Sequence, residues 1–235
     1  MQTLRPAYFQ TRARVEDYFD RSATHVWEQL TSDAPVSGVR ATVRAGRDQM
    51  RAMMLAQLPD DLSGARILDA GCGTGAMAVE LADRGADVLA IDISPSLIEI
   101  AEKRRPTRVA GSLMFRSGDM LDPKFGAFDY VMAMDSMIYY GADDIGSILS
   151  EIAPRLRGSF VFTLPPRTRM LMAMWRIGKL FPRANRSPVM VPHTSEGIAN
   201  AARLAKADGT LHEIGVVNSG FYHSTALAFR SRGQA

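Results

Sequence analysis

Three glycines alternate with other residues in the segment Gly71-Cys72-Gly73-Thr74-Gly75, directly after a short apolar run at 67–70 that contains Asp69. Glycine at these positions permits a tight turn and lets backbone N–H groups approach a ligand that side chains would block. A helix is predicted from about Ala76. This pattern constrains the chain to the strand–turn–helix unit of a nucleoside-binding parallel sheet.

A second apolar run, at 88–91, ends in Asp92, which lies 21 residues beyond Gly71. At this spacing a second parallel strand would end beside the first, and a carboxylate there can accept both hydroxyls of a ribose. Asp92 and the adjoining Ile93 are therefore predicted to contact a nucleoside cofactor, together with Gly71, Gly73 and Gly75.

Two cofactors compete for this turn, because the segment from Gly71 to Ala76 also fits the dinucleotide pattern G-x-G-x-x-G/A. The glycines alone leave both open. Asp69 favours S-adenosylmethionine (SAM), since a carboxylate that points into the turn would repel a pyrophosphate but can bind the ammonium of a methionine moiety.

Further acids follow at the ends of the next predicted strands. Asp119, followed by Met120, is predicted to accept a hydrogen bond from the adenine amino group. Asp135 directly follows the predicted strand 128–134, and with Met120 it completes the predicted cofactor set. In this order and spacing the motifs resemble those of class I SAM-dependent methyltransferases. The resemblance implies a Rossmann-like fold, SAM as cofactor and S-adenosylhomocysteine (SAH) as product.

The predicted fold class is α/β: a doubly wound, mostly parallel, seven-stranded Rossmann-like methyltransferase sheet with an N-terminal helical arm and a helical lid insert. Strands are predicted at 66–70, 87–92, 113–116, 128–134, 159–164, 209–217 and 220–229, the last two forming the antiparallel ending. Helices are predicted at 12–30, 38–57, 76–84, 95–104, 143–156 and 195–205, with a further one after Pro166. The expected division is an arm at 1–60, a SAM-binding core at 61–165 and 205–235, and a substrate lid at 166–204, within one structural domain.

The second arm helix carries a basic stripe, since Arg40, Arg44, Arg47 and Arg51 share one face of a 3.6-residue period. Two interpretations stay open for it: a solvated helix face, or contact with an anionic membrane or an acidic partner.

Charge and composition exclude several classes of protein. A net charge of +3 in 235 residues lacks the clustered tails of nucleic-acid binders, and no apolar run approaches the roughly 20 residues of a membrane span. One cysteine excludes a disulfide framework, and the four histidines have no mutual ligand spacing, so no protein-bound metal is expected. The expected location is cytoplasmic, with peripheral contact to a membrane.

Tyr139 and Tyr140 follow Asp135, at the predicted mouth of the cofactor site. No histidine lies in this loop to act as a base, and phenols suit hydrogen bonding to a carboxylate better than proton abstraction. His25 is either a core or capping histidine or a substrate contact.

A narrower resemblance rests on segments outside the cofactor motifs. These are Tyr18-Phe19-Asp20, Trp27, the Arg-rich second helix, the segment Leu180-Phe181-Pro182-Arg183-Ala184-Asn185-Arg186, and Gly220-Phe221-Tyr222. Together with the glycine turn they resemble the magnesium protoporphyrin IX O-methyltransferases of bacteriochlorophyll synthesis, over nearly the whole chain. The resemblance implies methyl transfer from SAM to the ring C propionate of Mg-protoporphyrin IX, giving the monomethyl ester, with Mg carried by the substrate.

The resemblance also implies roles for particular residues. Tyr18, Tyr139 and His25 are the catalytic candidates, Tyr18 the best matched, and Tyr139 stands where the family often has histidine. A Met- and Trp-rich lid suits a flat apolar substrate, and arginines suit its propionates; the predicted substrate contacts are Trp27, Arg169, Trp175 and Arg176.

The large porphyrin-binding subunit of magnesium chelatase and an anionic membrane are expected partners. Alternatives are a SAM-dependent methyltransferase of another small apolar acid or quinone-like substrate, a dinucleotide-binding oxidoreductase and a non-catalytic porphyrin carrier.

Overall fold

The computed structural model describes residues 6–20, 31, 38–167 and 188–232. Its helices are α1 (Pro6–Tyr18), α2 (Gly38–Leu55), α3 (Ala76–Asp83), α4 (Pro95–Lys103), α5 (Ala142–Ile152) and α6 (Ser195–Leu204). Its strands are β1 (Arg66–Ala70), β2 (Asp87–Asp92), β3 (Ser112–Ser117), β4 (Phe128–Ala133), β5 (Leu156–Leu164), β6 (Gly209–Ser219) and β7 (Tyr222–Ser231). Short 3₁₀ turns lie at Pro123–Phe125 and Ala153–Arg155.

The strands form one seven-stranded sheet in the order β3-β2-β1-β4-β5-β7-β6. β1 to β5 pair in parallel, and β7 pairs antiparallel with both β5 and β6. The chain order runs outward from β1 on one side and from β4 on the other, so a crevice opens between them at the carboxyl ends of the strands. The predicted fold class is confirmed.

Several predicted boundaries differ from the structure. α1 begins at Pro6 rather than near 12, and α5 ends at Ile152 rather than at 156. The second difference follows from Pro154, which lacks an N–H and cannot continue an α-helix, so the chain passes through a 3₁₀ turn into β5. The final hairpin turns at Gly220 and Phe221, because β6 ends and β7 begins two residues later than predicted, and Gly220 has φ +57°.

α2 packs directly against the sheet. Met50 and Met54 are fully buried in a cluster that also contains Met132 and Val161 from the central strands. A Cβ at Gly46 would lie 2.7 Å from the ring of Tyr222, so only glycine lets α2 approach β7 this closely. The predicted arm helix is therefore part of the layer that covers one face of the sheet.

α6 packs on α5 in the opposite layer. Ile198 is fully buried, and a Cβ at Gly146 would lie 2.5 Å from the Ala201 carbonyl oxygen. The sequence analysis assigned this helix to the lid insert, whereas its amphipathic face is buried against the core. The division into arm, core and insert stays a prediction.

Within the described ranges, no helix has both the length and the apolar character needed to cross a membrane. The predicted helix after Pro166 and the end of the first predicted helix lie outside the described residues.

Candidate functional site

A cavity of about 390 Å³ lies at the carboxyl ends of β1, β2 and β4. The predicted site residues that line it are Asp69, Gly71, Gly73, Asp92, Ile93, Asp119, Met120, Asp135 and Tyr139. The structure therefore brings most of the predicted cofactor set together, as parallel strands require of residues at their carboxyl ends.

Gly75 and Tyr18 do not line this cavity. Gly75 precedes α3 at φ +89°, and a Cβ there would lie 2.7 Å from the ring of Phe115. Its glycine is therefore required by backbone conformation and by packing behind the turn, rather than by ligand approach.

The N–H groups of the glycine turn bond to protein acceptors, contrary to the expectation that they face a ligand. Gly71 N and Cys72 N donate to the Ile91 carbonyl at 2.7 and 3.0 Å, Gly73 N donates to Asp92 Oδ2 at 2.8 Å, and Gly75 N donates to the Cys72 carbonyl. The turn thus contributes an open surface, and the donor groups hold its shape.

The turn is also fixed against the loop that follows β4. Ser136 Oγ donates to the Ala70 carbonyl at 2.7 Å, and a Cβ at Gly71 would lie 2.2 Å from Ser136 Cβ. Gly71, at φ +79°, therefore allows two cavity-lining loops to touch.

Asp69 and Asp92 form a buried acidic pair beside the turn. Burial raises the pKa of Asp92 to about 6, although its Oδ2 and Oδ1 accept from Gly73 N and from Ser94 N at 2.8 and 2.9 Å. Burial and, secondly, the charge of Asp92 raise the pKa of Asp69 to about 7. In the described part of the chain, Asp69 Oδ2 is buried and has no hydrogen-bond partner. A buried acceptor without a donor indicates a place for a cationic ligand group.

Asp119 marks the other end of the cavity and is held by α1. Its Oδ1 accepts from the Tyr8 hydroxyl at 2.8 Å and from Leu121 N at 2.9 Å, and its Oδ2 pairs with Arg12 Nη1 at 2.7 Å. The ring of Tyr8 stacks on Tyr140 with centroids 5.3 Å apart. α1 therefore forms a wall over the predicted adenine position.

The end of the arm also reaches the cofactor loops. Asp20 Oδ1 accepts from Ser94 Oγ at 2.5 Å and from Ser96 N at 3.4 Å, at the start of α4. Ser94 itself caps α4 by accepting from Leu97 N. A carboxylate near the N-terminus of a helix is electrostatically favourable, which helps to anchor the arm beside Asp92.

Asp135 follows β4 with a left-handed backbone, at φ +57°. Its Oδ2 pairs with Arg47 Nη1 at 2.5 Å, and its Oδ1 accepts from the hydroxyls of Tyr222 and Thr163 at 3.0 and 3.1 Å. This carboxylate is therefore fixed by α2, β5 and β7, and its Oδ2 is committed to a protein cation. Its predicted role as a cofactor ligand stays a prediction.

Tyr139 lines the cavity near the aromatic end of the arm. Its ring centroid lies 6.3 Å from that of Phe19, which in turn lies 5.2 Å from that of Tyr18. Burial and, next, the neighbouring Tyr18 raise the pKa of Tyr139 above its usual value. The phenol therefore stays protonated at neutral pH and can donate a hydrogen bond.

The basic stripe on α2 faces the cavity over most of its length. Arg44, Arg47 and Arg51 line it, and Arg51 pairs with Asp48 and Glu80 at 2.9 and 2.5 Å. The interpretation of the stripe as a solvated face is wrong for these three residues, because the packing of α2 on β7 turns them inward.

Other lining residues were missed by the sequence analysis. Tyr8 and Arg12 are one helical turn apart on α1, and nothing local in the sequence links them to Asp119. A signal for Arg47 existed in the stripe, but periodicity alone does not say what a face contacts.

Five predicted site residues, His25, Trp27, Arg169, Trp175 and Arg176, lie outside the described residues. Within the ranges that are described, no group of three or more histidine, cysteine, aspartate or glutamate side chains could hold a metal ion.

Comparison with known families gives two matches. The profile described as "Magnesium-protoporphyrin IX methyltransferase C-terminus" matches residues 133–231, and that described as "Methyltransferase domain" matches residues 67–158.

Individual relatives match over most of the chain. This chain is 55% identical over 224 residues to the magnesium-protoporphyrin O-methyltransferase of Rhodobacter capsulatus. The aligned region covers 95% of this chain and 98% of that protein. This chain is 27% identical to the Synechocystis protein of the same name, over 91% of this chain and 93% of that protein. The crystal structure of magnesium protoporphyrin IX methyltransferase from Synechocystis PCC 6803 with bound SAH superposes with a TM-score of 0.77, at 25% identity, covering 94% of this chain and 99% of that one.

Proposed function

Since the chain belongs to the magnesium-protoporphyrin O-methyltransferase family, we propose that it transfers a methyl group from SAM to a propionate of Mg-protoporphyrin IX, giving the monomethyl ester. Asp69 carries the proposal for the cofactor, because it lines the cavity and its buried Oδ2 has no hydrogen-bond partner among the described residues. The dinucleotide alternative is set aside by the family and by this carboxylate, which would repel a pyrophosphate.

The residues present fit SAM at three points. Asp69 is an acceptor for its ammonium, Asp92 retains lone pairs for ribose hydroxyls beside its two backbone bonds, and Asp119 lies where the adenine amino group is expected. The ends of the cavity are thus distinguished: the methionine end at Asp69, Gly71 and Ser136, and the adenosine end at Asp92 and Asp119. SAM, when bound, supplies a methyl group on a sulfonium that a nucleophile can displace.

The chain's own residues align the acceptor and exclude water. A propionate has a pKa of about 4 to 5 and is ionised at neutral pH, so no base has to remove a proton before the new carbon–oxygen bond forms. Tyr139, which stays protonated, can orient the carboxylate by donating a hydrogen bond. α1 closes the adenosine end through Tyr8 and Arg12 and so limits the access of solvent.

Tyr18 is proposed as a second orienting group that acts from the arm beside Tyr139. His25, Trp27, Arg169, Trp175 and Arg176 remain proposals for acceptor contacts, on the resemblance alone.

Incubation of the purified protein with SAM and Mg-protoporphyrin IX tests this function, with the porphyrin products separated by chromatography. We expect one monomethyl ester and an equal amount of SAH. The Asp69→Asn variant keeps the volume of the side chain but removes its charge, and we expect it to lose SAH affinity and ester formation together. If the variant forms the ester at the wild-type rate and binds SAM with wild-type affinity, the cofactor site is wrongly assigned.

Peripheral contact with an anionic membrane or the large subunit of magnesium chelatase is also proposed. It now rests on the resemblance and the net charge of +3, because Arg44, Arg47 and Arg51 of the stripe line the cavity. Flotation with anionic vesicles at low and high salt tests the membrane contact: salt-sensitive binding supports it, and equal partitioning at both salt concentrations contradicts it.

A further inference from the structure

The cavity has room for the cofactor but not for the porphyrin ring as well. Its volume of about 390 Å³ lies near the lower end of the range for sites that enclose one drug-sized ligand, roughly 300 to 1,000 Å³. SAM is one ligand of this size, and the porphyrin ring is a second. The reacting propionate therefore enters the cavity beside Tyr139, while the ring itself has to lie against the protein surface outside it.

The acceptor side of the cavity is the loop 136–140, in which Tyr139 lines the cavity. The segment 188–193 runs along this loop, and Val191 N donates to the Ile138 carbonyl at 2.8 Å. The other end of the segment is held by the parallel bridge to the residues that follow β5. The segment is therefore fixed at the rim of the cavity, next to the place where an acceptor approaches.

This segment exposes two neighbouring apolar side chains. Val189 and Met190 are 47% and 51% exposed, and among the described residues they are the only neighbours in sequence that are both large, apolar and exposed. Pro188 and Pro192 flank them, and the fixed φ of proline stiffens the backbone on both sides. Single exposed apolar side chains are ordinary, whereas a rigid pair at the rim of a binding site is typical of a surface that a ligand covers.

We propose that Val189 and Met190 form a platform for one face of the porphyrin ring while the reacting propionate lies beside Tyr139. The inference rests on the proposed function, because it concerns the acceptor of that reaction. The ring face is flat, apolar and aromatic, so the platform removes apolar surface from water on both partners. The thioether of Met190 also makes favourable contacts with aromatic rings and adapts to their shape.

The lack of charge on the platform favours the ring over a membrane as its occupant. None of the residues 188–192 is charged, whereas attraction to an anionic membrane depends on lysine and arginine. The porphyrin carries its two carboxylates at one edge and none on its faces, so an uncharged surface matches a face. The platform thus fixes the position of the ring, and Tyr139 orients the carboxylate.

Polar variants of nearly equal size test the platform. Met190→Gln and Val189→Thr keep the shape of each side chain and add a polar group that the ring would bury. We expect each variant to raise the dissociation constant of Mg-protoporphyrin about fivefold or more, measured by porphyrin fluorescence with SAH bound. The KM for Mg-protoporphyrin should rise in proportion, with kcat within about twofold of the wild type and SAH affinity unchanged.

A matched control and a second ligand sharpen the test. Met114 on β3 is 50% exposed and does not line the cavity, so Met114→Gln makes the same chemical change at equal exposure and should leave the affinity for Mg-protoporphyrin unchanged. The dimethyl ester of Mg-protoporphyrin has no carboxylate. Met190→Gln should weaken its binding by the same factor, because the platform contacts only the ring.

The outcomes separate this inference from the proposed function. If the wild-type protein forms no ester from Mg-protoporphyrin and SAM, the proposed function fails. If it forms ester but Met190→Gln and Val189→Thr bind Mg-protoporphyrin as the wild type does, or if Met114→Gln loses as much affinity, the platform is wrongly assigned while the function stands. Weaker flotation of the two variants with anionic vesicles, at unchanged porphyrin affinity, would assign the pair to a membrane and overturn the inference.

Discussion

Cofactor affinity should depend on pH through Asp69. Its pKa of about 7 reflects burial and the nearby charge of Asp92, and its buried Oδ2 has no hydrogen-bond partner in the described chain. An ammonium placed against this oxygen favours the ionised form, so ligand binding should lower the pKa and release a proton. The neutral acid loses this attraction, and affinity should fall as the pH falls.

The size of the effect follows from the raised pKa. If binding requires ionised Asp69, a pKa of about 7 in the free protein should raise the dissociation constant of SAH by roughly an order of magnitude between pH 7.5 and pH 5.5 to 6. Most of one proton should then be released per SAH bound at pH 6.

Titration calorimetry of SAH in buffers with different ionisation enthalpies gives both quantities. Asp69→Asn is the matched control, since position 69 then cannot titrate: its affinity should be low, and it should keep only the smaller pH dependence that comes from Asp92, whose pKa is about 6. A wild-type dissociation constant that changes less than twofold from pH 7.5 to 5.5 would refute the reasoning. A slope that Asp69→Asn retains in full would assign the proton to another group.

The raised pKa of Asp69 should also make the stability of the folded protein depend on pH. Since the folded-state pKa of Asp69 lies above its unfolded value of about 4, its contribution to the free energy of unfolding is largest below pH 4 and is lost as the pH rises through about 7. SAH should restore stability most strongly above pH 7, where the cost of the buried charge is fully present.

Three further predictions concern the rate, the arm and the core. At saturating substrates the rate of methyl transfer should be flat from pH 7.5 to 9, because the propionate is already ionised and Tyr139 stays protonated; a rise in rate that disappears in Tyr139→Phe would instead indicate a general base. Tyr8→Phe removes the hydroxyl bond to Asp119 and should weaken SAH binding about three- to tenfold by calorimetry, with unchanged affinity arguing against a role of α1 in the cofactor site. Gly146→Ala should lower the free energy of unfolding by about 1 to 3 kcal/mol in urea, because its Cβ would press on the Ala201 carbonyl, and a neutral effect would mean that α5 and α6 can separate at little cost.

Local sequence patterns predicted the sheet well because each strand of the parallel core is a short apolar run between clear breaks. The bounds of β1 and β2 agree with their predicted ranges, and Asp69 and Asp92 lie where a strand end places them. The error at α5 arose from Pro154, since helical periodicity continued past a residue that cannot be in a helix interior.

What could not be predicted depends on contacts between distant parts of the chain. The hydroxyl of Tyr8 bonds to a residue 111 positions away, and the stripe on α2 faces inward because Gly46 fits against Tyr222. The position of Gly75 shows a different difficulty: a motif glycine can be required by a packing neighbour, here Phe115, which the motif itself does not include.

The described segments that end at Arg167 and begin at Pro188 meet through a short bridge. Pro166 and His193 form a parallel bridge, with Arg167 N donating to the His193 carbonyl and His193 N to the Pro165 carbonyl, both at 2.9 Å. His193 Nε2 also contacts the Tyr140 carbonyl at 2.9 Å, so the join is tied to the loop that forms the acceptor side of the cavity.

A stretch of chain with its two ends clamped together can change in length and composition without moving the strands beside it, since the closure entropy of a loop grows only slowly with length. The bridge therefore holds Pro166 beside His193, and His193 beside Tyr140, whatever length of chain connects them. Changes of sequence or length between the two ends of the bridge should leave the acids of the cofactor site in place.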